Sequence, residues 1–343
     1  MVPVSGNPFG VVSTEDGTWS FVSTLSGSVV VLDGRGRRLH ALREITASRN
    51  PLAGEALTDS GRYLLVADGS GADVVDVSRL ERGAPHAVIG SLAVDARSTS
   101  LALDSAIEVS VSPDDRFAFV SLESANEIAV FNLGRALASG LKQSALVGTI
   151  PLGLAVVGMV ISPDGRWLYA TSEARSATSR QGTISIIDLR LAETRPSRSV
   201  VGSAAAGCDP VRVALSPNGA VVWVAARESN SVLAFSASRL RTDPRHALLA
   251  RIRVGAAPVG LVLLRNGMRL VVADSNRFGV PGQEAALTVI ETAAALAHRP
   301  AVIGQIPAGT FPREFSLQPT RHRLLVTNFG SDQLEVIDLS HLP

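Results

Sequence analysis

An all-β, seven-bladed β-propeller with four-stranded antiparallel blades, closed into a ring by its N-terminal strand, is the fold this sequence predicts, on three observations. One unit recurs seven times. Its fullest copy, residues 161–189 (ISPDGRWLYATSEARSATSRQGTISIIDL), reads as a strand end, a Pro-Asp-Gly turn, an alternating strand, a polar loop and a second apolar strand. The copies also keep register: the third turn position falls at Gly17, Gly61, Asp115, Gly165, Gly219, Gly267 and Arg321, spaced 44–54 residues apart. Finally, seven units of about 49 residues use up a 343-residue chain, so a single ring spanning residues 1–343 is expected rather than two globular domains.

Each blade is parsed as strands A to D, innermost to outermost. Strand A begins at a loop-to-strand junction nine residues before the turn marker, where Pro8, Pro210, Pro258 and Pro312 start strands without losing a ladder bond. This gives strands at 9–13, 19–23, 28–32 and 38–45 in blade 1, and at 54–57, 63–67, 73–77 and 87–94 in blade 2. An insertion at 95–105 precedes blade 3 (107–112, 117–122, 127–132, 145–150). Blade 4 is read at 158–162, 167–171, 183–188 and 199–203, and blade 5 at 211–215, 221–226, 231–235 and 247–254. Blade 6 follows at 259–264, 269–273, 286–290 and 301–306, and blade 7 at 314–317, 324–327 and 333–337. Between strands C and D, segments 134–143, 239–246 and 292–299 are rich in Ala, Leu and Arg and are expected to hold a helical turn each. The strand runs stand too close together for crossover helices, which excludes a doubly wound α/β fold. The large residue two past the marker (Trp19, Tyr63, Phe117, Trp167) is expected to pack between blades.

Blade 7 stops after its third strand, while residues 2–8 align with 306–312 at the end of an outer strand. Residues 2–4 are therefore expected to supply the missing strand D, removing the exposed edges. Other outer strands carry several more residues upstream, so Met1 is expected to stand in place of a removed leader on a longer, exported protein.

The order of Pro, short strand, SPDG turn, "YVTN"-like strand and "VIDL"-like strand resembles the YVTN-type β-propeller repeat, most closely at residues 162–189 and at 318–339 with Val326-Thr327-Asn328. The resemblance covers essentially the whole chain. It implies a seven-bladed scaffold of the lactonase-like group, which serves both enzymes and non-catalytic surface or binding proteins.

Composition narrows the function classes. With 32 basic and 31 acidic residues scattered singly, no basic tract argues for nucleic acid. No apolar run approaches 18 residues, so the chain as given reads as soluble, without a membrane span. A single cysteine, Cys208, rules out an intrachain disulfide and reads as a small filler. The six histidines fall outside every strand A, which argues against a His-based site or a histidine-ligated metal at the axis; no metal or cofactor is expected. GxSxG, HExxH, CxxC and P-loop motifs are absent. A monomer is expected.

The axis is where chemistry is sought. Two residues past the junction stand Gly10, Gly54, Glu108, Gly158, Arg212, Gly260 and Glu314; four past stand the small residues Val12, Ala56, Ser110, Val160, Ala214, Val262 and Ser316. A two-residue strand period turns both sets the same way, giving a narrow apolar channel with Glu108, Arg212 and Glu314 converging above it. As a catalytic trio, Arg212 would hold a carboxylate or phosphate and one glutamate would act as general acid or base; as a structural trio, the three plug the axis. The long B–C loops, 173–182 and 274–285, bring Arg175, Arg180 and Arg277 beside Arg227, making one side of the mouth basic and suited to an anionic small molecule. Three readings remain: a propeller binding a ligand or protein partner at its mouth, a lactonase-like enzyme opening or closing a ring, and a cell-surface interaction module using the outer rim.

Overall fold

Seven four-stranded antiparallel sheets build the protein, each with strand order A-B-C-D, in a computed structural model that describes residues 1–36, 38–94, 105–142 and 145–342. The A strands are Pro8–Ser13, Glu55–Leu57, Ala106–Val111, Leu154–Ile161, Pro210–Leu215, Pro258–Leu264 and Pro312–Gln318. Each lies against the next, and the seventh lies against the first, so the sheets form a closed ring. Most of the predicted 95–105 insertion lies outside the described residues.

The seam forms as the sequence predicts. Val2–Pro3 pairs with strand C of blade 7, Val2 opposite Leu334 and Pro3 opposite Gln333, and Val4 N–H donates to the Asp332 carbonyl at 2.9 Å. Val2 and Val4 are buried with Leu325 and Leu334 of blade 7 and Val22 and Val30 of blade 1, so the seam is apolar as well as hydrogen-bonded.

The recurring turn explains the register. In blade 4 the Ser162 hydroxyl accepts from Trp167 N–H at 2.9 Å and Asp164 accepts from Arg166 N–H at 3.1 Å, which closes the turn around Gly165 at φ 64°. Asp115 adopts the same left-handed geometry at φ 57°, and its carboxylate takes the backbone N–H groups of Asp59 (2.6 Å) and Ser60 (3.0 Å) from the preceding blade. In blade 7 the turn is the 3₁₀ segment Pro319–Arg321, so the left-handed residue is His322 rather than Arg321.

Trp19, Tyr63, Phe117 and Trp167 pack against inter-blade apolar clusters, each under an arginine 4.8–5.6 Å from its ring centroid. Short helices α1 (Val77–Arg82), α2 (Leu133–Ala138), α3 (Leu189–Ala192), α4 (Ala237–Thr242) and α5 (Thr292–Leu296) follow strand C. Three match the predicted helical turns. The other two, α1 and α3, are started by Asp76 and Asp188, the terminal Asp of each strand C, whose carboxylates accept from Arg79 and Leu191 N–H. Blade 4 is the longest blade: Trp167–Ala174 and Gln181–Asp188 extend into the predicted loop, and strand D runs Val200–Cys208 rather than 199–203. No helix among the described residues is long and apolar enough to cross a membrane.

Candidate axial binding site

A backbone irregularity aims side chains at the axis. In six blades strand A carries a bulge at its start, as at Ala106/Glu108 and Pro210/Arg212. Just before each bulge, Asn7, Ser105, Ala155, Asp209, Ala257 and Phe311 take φ between 51° and 59°. Strand B stitches the bulges in place: the Ser121 hydroxyl accepts from Glu108 N–H at 3.1 Å and donates to the Val157 carbonyl of the next blade at 2.9 Å. Thr327 accepts from Glu314 N–H and donates to the Phe9 carbonyl, both at 3.0 Å.

Glu108, Arg212 and Glu314 meet at the axis. Arg212 Nε donates to Glu314 Oε1 at 2.5 Å, its Nη2 lies 3.4 Å from Glu108 Oε2, and Nη1 donates to the Val211 carbonyl at 3.2 Å. Blades 2, 4 and 6 make room for these side chains with glycine. A Cβ on Gly54 would stand 3.0 Å from the Glu108 carboxyl carbon, and one on Gly158 would stand 2.4 Å from the Val211 carbonyl oxygen. Burial pushes the Glu108 carboxyl up to about 7; Arg212 opposes the rise and Glu314 adds to it.

Above the trio opens a cavity of about 470 Å³. Its wall comes from the residues one past the junction, Phe9, Ile107, Val157, Val211, Val259 and Arg313, with Phe311, Phe329, Glu173, Arg227 and Arg277 at the mouth. Arg212 reaches this wall; Glu108 and Glu314 hold it from behind. Arg313 lies with its guanidinium carbon 3.5 Å from the Phe9 ring centroid, and at 5.7 and 5.8 Å from those of Phe311 and Phe329. Arg277 stands 5.4 Å from the Phe311 centroid. Burial, then Arg212, pushes Arg313 down to about 9, which leaves it charged at neutral pH; burial, then Arg227, lowers Arg277. Neither arginine has a carboxylate partner within ion-pair distance among the described residues, and Arg313 Nε is buried without a hydrogen bond.

The predicted basic residues divide. Arg227 and Arg277 line the cavity. Arg227 forks onto Asp209 (Nε–Oδ2 2.6 Å, Nη2–Oδ1 3.0 Å) and also reaches Glu173 at 2.8 Å. Burial pushes Glu173 up to about 7, against Arg227 and with Asp209. Arg175 lines a separate groove at the rim, and Arg180 is exposed and paired with Glu228 at 3.0 Å. Sequence reasoning missed Arg313 and Phe9 because the bulge breaks the two-residue period it relied on, Glu173 because strand B of blade 4 runs on into the predicted loop, and Phe311 and Phe329 because they lie outside the strands. The signal was present: one past the junction, six copies carry Phe9, Ala53, Ile107, Val157, Val211 and Val259, and the seventh carries Arg313.

Comparison with known proteins agrees with the architecture. Two solved structures illustrate the fold: Kuenenia stuttgartiensis hydrazine synthase (TM-score 0.74, 19% identity, covering 97% of this chain and 95% of that one) and the β-propeller domain of Myceliophteria thermophila Cps50 (Swd1) (TM-score 0.71, 13% identity, 97% of each chain). At these identities they speak for the fold alone. No curated protein matches the sequence. The family model described as "Lactonase, 7-bladed beta-propeller" matches residues 56–243, more than half of the chain, and the protein belongs to that family.

Proposed function

We propose that the axial mouth binds a small organic anion, its carboxylate or phosphate taken by Arg277 and Arg313 and its apolar body laid on Phe9, Phe311 and Phe329. One observation carries this reading: two guanidiniums without carboxylate partners share an aromatic-walled cavity of about 470 Å³. A buried unpaired arginine is costly to keep, and an anionic ligand supplies its missing partner. Arg212 forms the cavity floor, held by Glu108 and Glu314. Titration calorimetry with phthalate, a rigid aromatic dicarboxylate, tests the reading. Binding that weakens about tenfold or more in Arg313→Ala supports it, and equal binding by both proteins contradicts it.

Membership of the lactonase family and a second carboxyl favour a catalytic form of the same site. Glu173 lines the cavity with a carboxyl near neutrality, so it suits general base work at physiological pH. Water adds to the carbonyl of a carboxylate-bearing lactone while Glu173 takes its proton. The ring C–O bond then breaks, and the departing alkoxide recovers that proton to leave a hydroxy acid. Hydrolysis followed by pH-stat should rise with pH through about 7 as Glu173 ionises. In Glu173→Gln, ring opening should fall to the uncatalysed rate while phthalate binding persists. Unchanged hydrolysis in that variant would remove the catalytic form and leave the binding site standing.

A further inference from the structure

The outer edge of blade 4 differs from the other rims. Strand D of blade 4, Val200–Cys208 (VVGSAAAGC), has nine residues, no charge and no proline, and among the described residues no further strand pairs with it. Proteins usually blunt such an edge with charge, proline, short length or bulges; this strand has only bulges, its register shifting opposite Ile186/Ile187 and Gln181/Thr183, and it pairs regularly over Gly202–Ala205. Other blades here use charge or proline: the outer strand of blade 1 carries Arg43 and Glu44, that of blade 5 carries Arg251 and Arg253, and those of blades 3 and 6 end in Pro151 and Pro307. The remaining uncharged outer strand, Val88–Ala93, is three residues shorter. Val200 and Val201 are 38% and 43% exposed, so the edge is apolar as well as open.

A groove of about 910 Å³ follows this edge, between the end of blade 3 and the outer strand of blade 5. Arg175, Arg245 and Arg251 line it; all three are exposed, and none has an ion-pair partner among the described residues. Cys208 N–H donates to the Ser229 hydroxyl at 2.8 Å, so the groove offers backbone groups of the 200–206 edge along one side and, among the described residues, uncompensated positive charge around them. A second copy of the same edge would bring two sets of these arginines together, which opposes self-pairing.

We propose that this rim is a strand-addition site for an extended acidic peptide segment of a partner protein. The segment adds a fifth strand to blade 4 by main-chain hydrogen bonds to the edge at 200–206, while its carboxylates pair with Arg175, Arg245 and Arg251. The site is separate from the axial mouth and does not depend on what the mouth binds.

The test uses the full chain and a capped, strand-forming peptide that alternates Glu with Thr and Val. Fluorescence anisotropy should show saturable binding that weakens about tenfold or more in Arg245→Glu/Arg251→Glu and disappears for the same peptide with Lys in place of Glu. Hydrogen exchange should slow at backbone amides within 200–206 when the peptide is bound, and saturating phthalate should not displace it. Both arginines are exposed, so an unchanged melting temperature separates lost binding from misfolding. Binding without protection at 200–206, binding equally by the Lys peptide, or a wild-type chain that dimerises and ignores the peptide would each overturn the proposal.

Discussion

Blades 1 and 2 fill the two positions past the strand A junction with Phe9, Gly10, Ala53 and Gly54; blades 5 and 7 fill the same slots with Val211, Arg212, Arg313 and Glu314. In three of these four blades the strand starts with the same bulge, so backbone geometry does not separate the two pairs. The difference lies in a few side chains that depart from the repeat. Each departure either finds a partner inside the ring, as Arg212 does with Glu314 and Glu108, or is left without one, as with Arg313. The unpartnered ones mark where something from outside is expected. Blade 2 adds a departure of its own. Glu55 occupies the register slot that holds Val11, Val109, Met159, Val213, Leu261 and Phe315 in the other blades, and both its buried carboxyl oxygens lack hydrogen-bond partners.

Breaking the partnered departure should have the largest effect. Arg212→Ala leaves two buried carboxyls without their cation, and urea unfolding at pH 7.5 should show a loss of about 3–5 kcal/mol. The loss should shrink toward pH 5 as Glu108 takes up a proton.

Restoring the repeat in blade 2 should act in the opposite direction. Burial raises Glu55 well above its ordinary 4.5, and Glu108 adds to the rise. With the folded value raised, the native chain keeps a proton that the unfolded chain has released. Stability from this group is therefore full below pH 4.5 and declines as pH rises toward the folded value. Glu55→Met, which copies Met159, should gain about 1–3 kcal/mol at pH 8 and flatten that decline, as read by thermal melts across pH. A loss of stability at pH 8 would show that Glu55 has a partner this account lacks.

Arg313→Ala sharpens the contrast with Arg212. Its stability change should stay within about 1 kcal/mol, because no ion pair is broken, although packing on Phe9 is lost. Its effect should fall on anion affinity, at about 1.4 kcal/mol or more for a tenfold change. Smallest of all, Arg180→Ala removes an exposed pair with Glu228 and should move the urea midpoint by less than about 0.5 kcal/mol.

How much of this was legible in the residues follows the same division. Seven copies in register specify the blades, and the alignment of residues 2–8 with 306–312 reveals the closing strand, because both rest on patterns repeated along the chain. The meeting of Glu108, Arg212 and Glu314 was also legible, since the three occupy one slot. Arg313 and Glu173 were not, because a bulge and an extended hairpin shift them by a residue or a turn relative to an ideal strand. Such backbone irregularity has no compositional mark. Helices α1 and α3 were missed for a related reason: an Asp that ends a strand also caps the next helix, and only the first role shows in the strand pattern.

The most direct test of the account is a crystal structure of the protein with phthalate. A carboxylate within hydrogen-bonding distance of both Arg277 and Arg313, with the ring stacked on Phe311 or Phe329, is the predicted result. Phthalate bound elsewhere with the mouth left empty, or Arg313 drawn away onto a carboxylate of the protein itself, would contradict it.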